Sequence, residues 1–255
     1  MDDELVARLR AAGCVFAEEE AALLVAAART PADLTSMAGR RVAGLPLEQI
    51  LGWADFCGLR VAVDAGVFVP RGRTALLVRE AVARTVPGAV VVDLCCGSGA
   101  VGLAVAAAVA DITLHAADID PVAVRCARRN LHGIGSVHEG DLYAALPTTL
   151  RGRVAVLVVN APYVPTGAIA LMPPEARDHE PAVALDGGAD GLDVQRRVIA
   201  GAARWLAPGG CVLIETGADQ ARHTASAMAA AGLAAEVVAC AELQAHVVVG
   251  SSTSG

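Results

Sequence analysis

The chain has 255 residues, a formal net charge of −7, and a hydrophobic fraction of 55% with only 3% aromatic residues. This length can hold one sizeable α/β core with a small additional segment, built mainly from Ala, Val and Leu. The sequence contains no lysine, which excludes Schiff-base chemistry through a lysine side chain. The acidic balance argues against stable binding of nucleic acid.

The cysteine pattern and the apolar runs predict a cytoplasmic location without a membrane span. The seven cysteines are odd in number and form no Cys-x-x-Cys pair, which favours reduced thiols and gives no support for a metal site. The longest apolar run, 101–110, fits a buried helix better than a membrane span. Residues 1–4 lack the basic region that opens a secretory signal.

The first part of the chain is predicted to be helical and to precede a hairpin. Leu5, Val6 and Leu9 have helical spacing, and residues 18–29 are rich in Ala, Leu and Glu. We therefore assign residues 1–52 to a helical N-terminal segment. Within a linker over 53–73, the alternating stretches 59–64 and 66–69 resemble a β-hairpin.

From residue 74 onward the pattern is that of an α/β domain, which we place at 74–250. After a helix at 74–85, strands and helices alternate, and this order favours a parallel sheet covered on both faces. Strands are predicted at 89–94, 112–117, 154–159, 211–215, 234–240 and 246–249, with a short one near 136–138. Helices are predicted at 100–110, 121–131, 194–206 and 219–231. The last two strands have no helix between them, so the final one can pair antiparallel. Residues 251–255 are predicted to be a disordered tail.

Polar turns follow the first three predicted strands. Gly97 and Gly99 lie at a strand-to-helix junction, where backbone N–H groups can approach a ligand. Asp118 can accept hydrogen bonds from both hydroxyls of a ribose, whereas Asp120 suits a helix N-cap. Asp141 can accept from an adenine amino group. The predicted nucleoside pocket comprises Asp93, Cys95, Gly97, Gly99, Asp118, Ile119, Asp141 and Leu142.

The fourth predicted strand ends in Asn160-Ala161-Pro162-Tyr163. An amide that donates and accepts, a stiff turn and a flat ring together suit the binding of a planar, amide-like nitrogen. A dinucleotide oxidoreductase would share the first turn, but its first glycine would more often come directly after the strand. Here Asp93 occupies the strand end, although Gly102 falls where the third glycine of Gly-x-Gly-x-x-Gly would, so this alternative is kept as a less favoured one. The Asn160 turn instead favours S-adenosylmethionine as the nucleoside carrier, with Asn160 also touching it, and predicts methyl transfer to nitrogen.

The order of these motifs resembles the protein N5-glutamine methyltransferases, which act on release factors and ribosomal proteins. The resemblance runs from about residue 46 to residue 217 and covers the following stretches: ILG at 50–52, VPR at 69–71, DLCCGSGA at 93–100, DIDP at 118–121, GDL at 140–142, NAPY at 160–163, HEP at 179–181, ALDGGADGL at 184–192 and ETG at 215–217. The nucleoside turn is shared by many methyltransferases. The Asn-x-Pro-Tyr turn followed by Glu-Pro and Leu-Asp-Gly-Gly-x-Asp-Gly-Leu is far more specific.

The resemblance implies an α/β fold: a seven-stranded Rossmann-like class I methyltransferase sheet with a small helical N-terminal domain and a β-hairpin. It implies S-adenosylmethionine as donor, no metal, and the side-chain amide of a protein glutamine as acceptor, with a release factor as first choice. Asn160, Ala161, Pro162 and Tyr163 would surround the amide, and Glu180 and Pro181 would contact the substrate. Because an amide nitrogen is a weak nucleophile, holding it in line with the methyl carbon would supply much of the rate.

Three departures from the family pattern leave the acceptor open. Ala161 stands where the family usually has Pro, Gly72-Arg73-Thr74-Ala75 replaces Pro-Glu-Thr-Glu, and the N-terminal segment is short. Arg71 and Arg73 are expected to be solvated, or else to steer a carboxylate. One alternative is therefore the same chemistry on a small-molecule amide or amine. Less favoured are adenine N6-methylation of nucleic acid and binding of S-adenosylmethionine without transfer.

Overall fold

The structure is a computed structural model that describes residues 3–252. Its α-helices are α1 (Asp3–Ala11), α2 (Ala17–Ala27), α3 (Pro31–Val42), α4 (Leu47–Leu51), α5 (Ala75–Val82), α6 (Ala100–Ala108), α7 (Pro121–Asn130), α8 (Pro174–His179), α9 (Ala182–Leu185), α10 (Asp193–Ala202) and α11 (Ala221–Ala230). Its strands are β1 (Trp53–Phe56), β2 (Leu59–Ala62), β3 (Val90–Leu94), β4 (Thr113–Asp118), β5 (Gly135–Glu139), β6 (Val154–Val159), β7 (Leu206–Thr216), β8 (Leu233–Cys240) and β9 (Ala245–Ser252).

Seven strands form one sheet in the order β5-β4-β3-β6-β7-β9-β8. The strands from β5 to β7 are parallel, and β9 pairs antiparallel with both β7 and β8. The predicted α/β class, the seven-stranded sheet and the antiparallel last strand are confirmed. The chain order reverses between β3 and β6, so the carboxyl ends of β3, β4 and β6 meet where open α/β sheets bind ligands.

Both faces of the sheet are buried, which explains why its central strands are continuous apolar runs. Alternate residues along a strand point to opposite faces. On β6, Val156 and Val158 pack under α5, α6 and α7, whereas Leu157 and Val159 pack against α10 and α11. The run at 154–159 was predictable for this reason.

The N-terminal helices α1 to α4 have a hydrophobic core of their own, which includes Leu9, Leu24 and Met37. The buried guanidinium of Arg41 contacts Glu20 at 2.6 Å and Glu175 of α8 at 3.1 Å. Since α8 follows β6 in the chain, Arg41 connects the N-terminal helices to the segment that comes after the Asn160 turn.

The predicted β-hairpin is present within the 53–73 linker, and the stretch 59–64 corresponds to β2, but the assignment of its second strand to 66–69 is wrong. The hairpin joins β1 and β2, and residues 66–69 are not a strand. Cys57 and Gly58, with φ angles of 50° and 76°, form its two-residue turn, a conformation that hairpins favour. Val67 and Val69 are buried in a small cluster with Cys126. The alternation at 66–69 therefore reflects packing and not pairing.

Two strand ends also differ from the prediction. The strand predicted at 211–215 begins earlier in the structure, because β7 starts at Leu206, before Pro208, Gly209 and Gly210. The pairing with β6 shifts between Val154↔Leu206 and Val156↔Cys211, so residues 207–210 form a bulge. Of the predicted tail, residues 251–252 belong to β9, and residues 253–255 lie outside the described part of the chain.

All seven cysteines are free thiols. Among residues 3–252, no helix combines the length and the apolar character that crossing a membrane requires. The same residues contain no group of three or more metal-ligating side chains close enough to hold an ion.

Candidate active site

A cavity of about 280 Å³ lies at the carboxyl ends of β3, β4 and β6, a volume near the lower end for small-molecule sites. Most of the residues singled out from the sequence line it: Asp93, Cys95, Gly97, Asp118, Ile119, Asp141, Leu142, Asn160, Ala161, Pro162, Tyr163, Glu180 and Pro181. Gly99 does not. A Cβ there would lie 3.1–3.3 Å from Leu131 and Ala127, so Gly99 permits close packing of the turn on α7.

Asp118 holds the glycine turn from the neighbouring strand. Its Oδ2 accepts a hydrogen bond from Gly97 N at 2.8 Å, and its Oδ1 accepts from Asp120 N at 2.9 Å. Burial raises the pKa of this carboxyl, while these backbone hydrogen bonds lower it. Each carboxylate oxygen keeps capacity to accept a further bond from a ligand hydroxyl. Asp120 caps α7 by accepting from Val122 N, as its sequence position predicted.

Asp93 lines the cavity at the end of β3 and is buried. Its Oδ2 accepts from Gly102 N at 2.9 Å, and a Cβ at position 102 would come within 3.2 Å of the same oxygen. Burial raises the pKa of Asp93 to about 7. The lack of a side chain at Gly102 thus lets α6 approach the carboxylate of Asp93. This contact gives a structural reason for a glycine that falls at the third position of the dinucleotide motif.

Asp141 at the third turn is paired with Arg197 of α10, whose Nη2 lies 2.6 Å from Asp141 Oδ2. Leu142 next to it has a φ of 48°, which turns the chain sharply after β5. Arg197 was not predicted, because nothing in the sequence indicates which face of α10 borders the cavity. It forms the wall beside the proposed adenine position.

The two asparagines of the chain differ sharply in their environment. Asn130 is fully engaged: its Oδ1 accepts from Ala62 N, and its Nδ2 donates to Ala62 O and Ser98 O, all within 2.8–2.9 Å. The carboxamide of Asn160 lines the cavity and makes no hydrogen bond to any residue in the described range 3–252. Asn160 therefore has its full donor and acceptor capacity available for a ligand.

The turn after Asn160 is fixed by the loop that carries the Leu-Asp-Gly-Gly-x-Asp-Gly-Leu motif. Tyr163 O accepts from Gln220 Nε2 at 2.9 Å, and Gly187 N donates to Val164 O at 2.9 Å. A Cβ at Gly187 would lie 2.7 Å from Pro162 O, and one at Gly191 would lie 2.3 Å from Tyr163 O. These glycines let two backbone segments touch, which gives the motif a physical explanation that sequence reasoning did not supply.

Beyond Asn160, toward β7, Tyr163 meets a buried acid and an arginine. Tyr163 Oη donates to Glu215 Oε1 at 3.4 Å, and Arg73 Nε lies 3.4 Å from the same oxygen. The guanidinium of Arg73 is 6.0 Å from the centroid of the Tyr163 ring. Burial raises the pKa of both Glu215 and Tyr163.

Glu180 connects the loop over the cavity to the segment before α5. Its buried Oε1 accepts from Val69 N at 3.1 Å and from Arg71 Nη2 at 2.7 Å, whereas Oε2 has no partner among the described residues. Burial raises the pKa of this carboxyl, and Arg71 opposes that rise. Glu180 thus lines the cavity, and its second oxygen is buried without a partner among the described residues.

Comparison with known proteins identifies the family. Residues 58–172 match the model of the methyltransferase small domain. A release factor glutamine methyltransferase of Geobacter sulfurreducens is 36% identical over 197 residues, covering 75% of this chain and 68% of the relative. The chain belongs to the release factor glutamine methyltransferase family. The resemblance drawn from the motifs is thereby confirmed, and members of this family are enzymes.

Two Streptomyces members of the comparison differ in the acceptor that their names state. A release factor glutamine methyltransferase of Streptomyces coelicolor is 42% identical over 181 residues, covering 69% of this chain and 64% of the relative. A 4-amino-L-phenylalanine/4-methylamino-L-phenylalanine methyltransferase of Streptomyces pristinaespiralis is 39% identical over 191 residues, covering 71% and 64%. The chain thus matches slightly less than two thirds of the length of these two relatives.

Solved structures support the fold of the family. A methyltransferase from Pyrococcus furiosus aligns with a TM-score of 0.58 at 14% identity, covering 77% of this chain and 90% of that one. A ribosomal protein L11 methylase from Lactobacillus delbrueckii aligns with a TM-score of 0.54 at 17% identity, covering 75% and 84%. At these identities the alignments establish the shared methyltransferase fold.

Proposed function

We propose that the protein transfers the methyl group of S-adenosylmethionine to the side-chain amide nitrogen of a glutamine in a protein, with a release factor as first candidate. The observation that carries this proposal is the unpaired carboxamide of Asn160 at the end of β6. It lines the same cavity as the glycine turn of β3 and the carboxylate of Asp118.

The residues of the cavity fit the donor. Asp118 keeps acceptor capacity for a ribose diol while it anchors Gly97, and Asp141 with Leu142 borders the position of a base. Glu180 also lines the cavity, and its buried Oε2 lacks a partner among the described residues. When bound here, S-adenosylmethionine supplies an electrophilic methyl group on a sulfonium.

Asn160 and the Ala161 carbonyl are proposed to orient the accepting amide. The side-chain oxygen of Asn160 and the Ala161 oxygen would each accept one amide hydrogen, which points the nitrogen lone pair at the methyl carbon. These acceptors bind more strongly as positive charge develops on the nitrogen, so they favour the transition state. Ala161 keeps the carbonyl that a proline would offer, and the contacts of Val164 and Gln220 hold the turn.

The choice of a release factor rests on the names of the relatives from Geobacter sulfurreducens and Streptomyces coelicolor. The N-terminal helices, joined to α8 by Arg41, are the proposed recognition segment for a protein substrate. We propose a cytoplasmic enzyme without stable binding of nucleic acid, in keeping with the net charge of −7.

A small-molecule amine or amide is the second candidate for the acceptor. It is favoured by Arg73, which puts a guanidinium beside Tyr163 where the family usually has an acidic residue. It is also supported by a relative from Streptomyces pristinaespiralis, a methyltransferase whose name states 4-amino-L-phenylalanine as the acceptor.

The test is methylation by the purified protein with labelled S-adenosylmethionine and a release factor, followed by mass spectrometry of its peptides. We expect one added methyl group on a glutamine side chain, and no product with the Asn160→Ala variant. The same factor with the mapped glutamine changed to alanine is the control. Transfer of the label to 4-amino-L-phenylalanine, with none on the release factor, would select the second candidate. No label on either acceptor would overturn both.

A further inference from the structure

The cavity contains three arginines, and their charges are engaged to different degrees. Arg71 Nη2 lies 2.7 Å from Glu180, and Arg197 Nη2 lies 2.6 Å from Asp141, so both are close ion pairs. Arg73 has a longer contact with its acid, 3.4 Å from Nε to Glu215 Oε1, and 46% of its side chain is exposed. Among residues 3–252, Glu215 is the only acidic partner of Arg73. Most of the donors of this guanidinium are therefore available.

The acid that holds Arg73 is buried and has a second polar neighbour. Burial raises the pKa of Glu215, while the hydroxyl of Thr74 and the guanidinium of Arg73 lower it. Glu215 thus serves as a buried partner that fixes Arg73 at this side of the cavity.

The position of Arg73 in the cavity separates it from the nucleoside end. In the parallel pairing of β6 with β7, Val159 lies opposite Ile214. Glu215 is the next residue of β7, so it lies beside Asn160, which follows Val159. Asp118 and Asp141 lie on the other side, at the ends of β4 and β5. Arg73 therefore lies near the point of transfer and away from the proposed adenine and ribose positions.

We propose that Arg73, held by Glu215 and Tyr163, is a binding site for a carboxylate at the Asn160–Tyr163 side of the cavity. A guanidinium can form two parallel hydrogen bonds with a carboxylate, which no other side chain matches. Two molecules could bring this group: the methionyl end of the donor, or an acceptor that is a free amino acid. The inference rests on the proposed function, since it takes the cavity as the site of methyl transfer.

The experiment compares ligands with and without the carboxylate on the Arg73→Gln and Arg73→Lys variants. Arg79→Gln is the matched control, because Arg79 lies on α5 in the same segment, is well exposed and does not line the cavity. Calorimetry measures the affinity of S-adenosylhomocysteine and of 5′-methylthioadenosine, which lacks the amino-acid end. Kinetics measure KM for 4-amino-L-phenylalanine and for its decarboxylated analogue.

A carboxylate from the donor predicts that Arg73→Gln weakens S-adenosylhomocysteine by about tenfold or more and leaves 5′-methylthioadenosine unchanged. A carboxylate from the acceptor predicts unchanged S-adenosylhomocysteine affinity and a KM that rises about tenfold for the amino acid alone. Either result supports the proposal and identifies the source, and Arg73→Lys should recover part of the loss. Arg79→Gln should behave as the unmodified protein in both arms.

The proposal is overturned if Arg73→Gln changes neither the affinity for S-adenosylhomocysteine relative to 5′-methylthioadenosine nor the KM for the amino acid relative to its decarboxylated analogue. A loss of thermal stability alone would mean that Arg73 only neutralises Glu215. Failure of the unmodified protein to bind S-adenosylhomocysteine at all would instead overturn the proposed function. The two failures are therefore distinguishable.

Discussion

Asp118 Oδ2 accepts a hydrogen bond from Gly97 N at 2.8 Å, across the parallel pair of β3 and β4. The acid at the end of one strand thus sets the shape of the turn at the end of the next. A loss of this carboxylate would disturb the turn and also remove the proposed acceptor for a ribose.

The first prediction concerns Asp118→Ala. We expect the affinity for S-adenosylhomocysteine to fall by about 1.5–3 kcal/mol, the scale for hydrogen bonds to a charged group, as measured by calorimetry. Asp120→Ala is the comparison, because Asp120 also lines the cavity while its carboxylate caps α7. That variant should lose about 1 kcal/mol of stability and less affinity. Equal affinity losses in both variants would argue against a ribose contact by Asp118.

The second prediction compares alanine substitutions at the two asparagines, Asn160 and Asn130. Asn160→Ala should bind S-adenosylhomocysteine nearly as the unmodified protein does, while kcat falls about 100-fold or more, because the acceptors that develop stronger bonds in the transition state are removed. Asn130→Ala removes the three hydrogen bonds that join α7, β2 and the glycine turn. It should lower the free energy of unfolding by about 2 kcal/mol or more and affect kcat far less. A cofactor affinity that collapses in Asn160→Ala would assign Asn160 to the donor.

The third prediction concerns the glycine that touches the turn after Asn160. Gly191 has a φ of 77°, and a Cβ there would meet Tyr163 O at 2.3 Å; Gly232 has a φ of 82° with nothing within 4 Å. Alanine at either position should cost about 1–2 kcal/mol of stability for the left-handed backbone. Only Gly191→Ala should also reduce kcat, since the backbone at Tyr163 must move. Denaturant unfolding and single-turnover rates measure the two effects, and a normal rate in Gly191→Ala would show that the turn tolerates displacement.

The sheet and the position of the Asn160 turn follow from local patterns, because a parallel strand buried on both faces must be an unbroken apolar run. The hairpin did not follow in the same way. The alternation of Val67 and Val69 looks like a strand, but burial against Cys126 produces the same pattern without pairing. A single sequence does not distinguish these causes.

The contacts between distant elements were also beyond the sequence. Arg197 meets Asp141 only because α10 packs next to the end of β5, and the two positions share no motif. The roles of Gly187 and Gly191 were beyond the sequence for the same reason, since they depend on a contact between distant elements. Their pattern was recognisable through the family resemblance, but its cause is the approach of two backbone segments.

The last prediction is a pH dependence that originates in Asp93. Burial raises the pKa of this carboxyl to about 7 in the folded protein, above the ordinary value of 3.8 that we take for the unfolded chain. Between those values the folded state holds a proton that the unfolded state has released. Stability therefore decreases as pH rises through this window, and it is fully retained below it.

Asp93→Asn should remove this dependence, because an asparagine oxygen can still accept from Gly102 N but carries no charge to desolvate. The difference in free energy of unfolding between the variant and the unmodified protein should shift in favour of the variant from about pH 4 to pH 7 and then level off. Urea unfolding at pH 4.5, 6 and 8 measures it, and other titrating groups cancel in the difference. A difference that is constant across the three pH values would mean that Asp93 is ionised throughout, with the bond from Gly102 outweighing its burial.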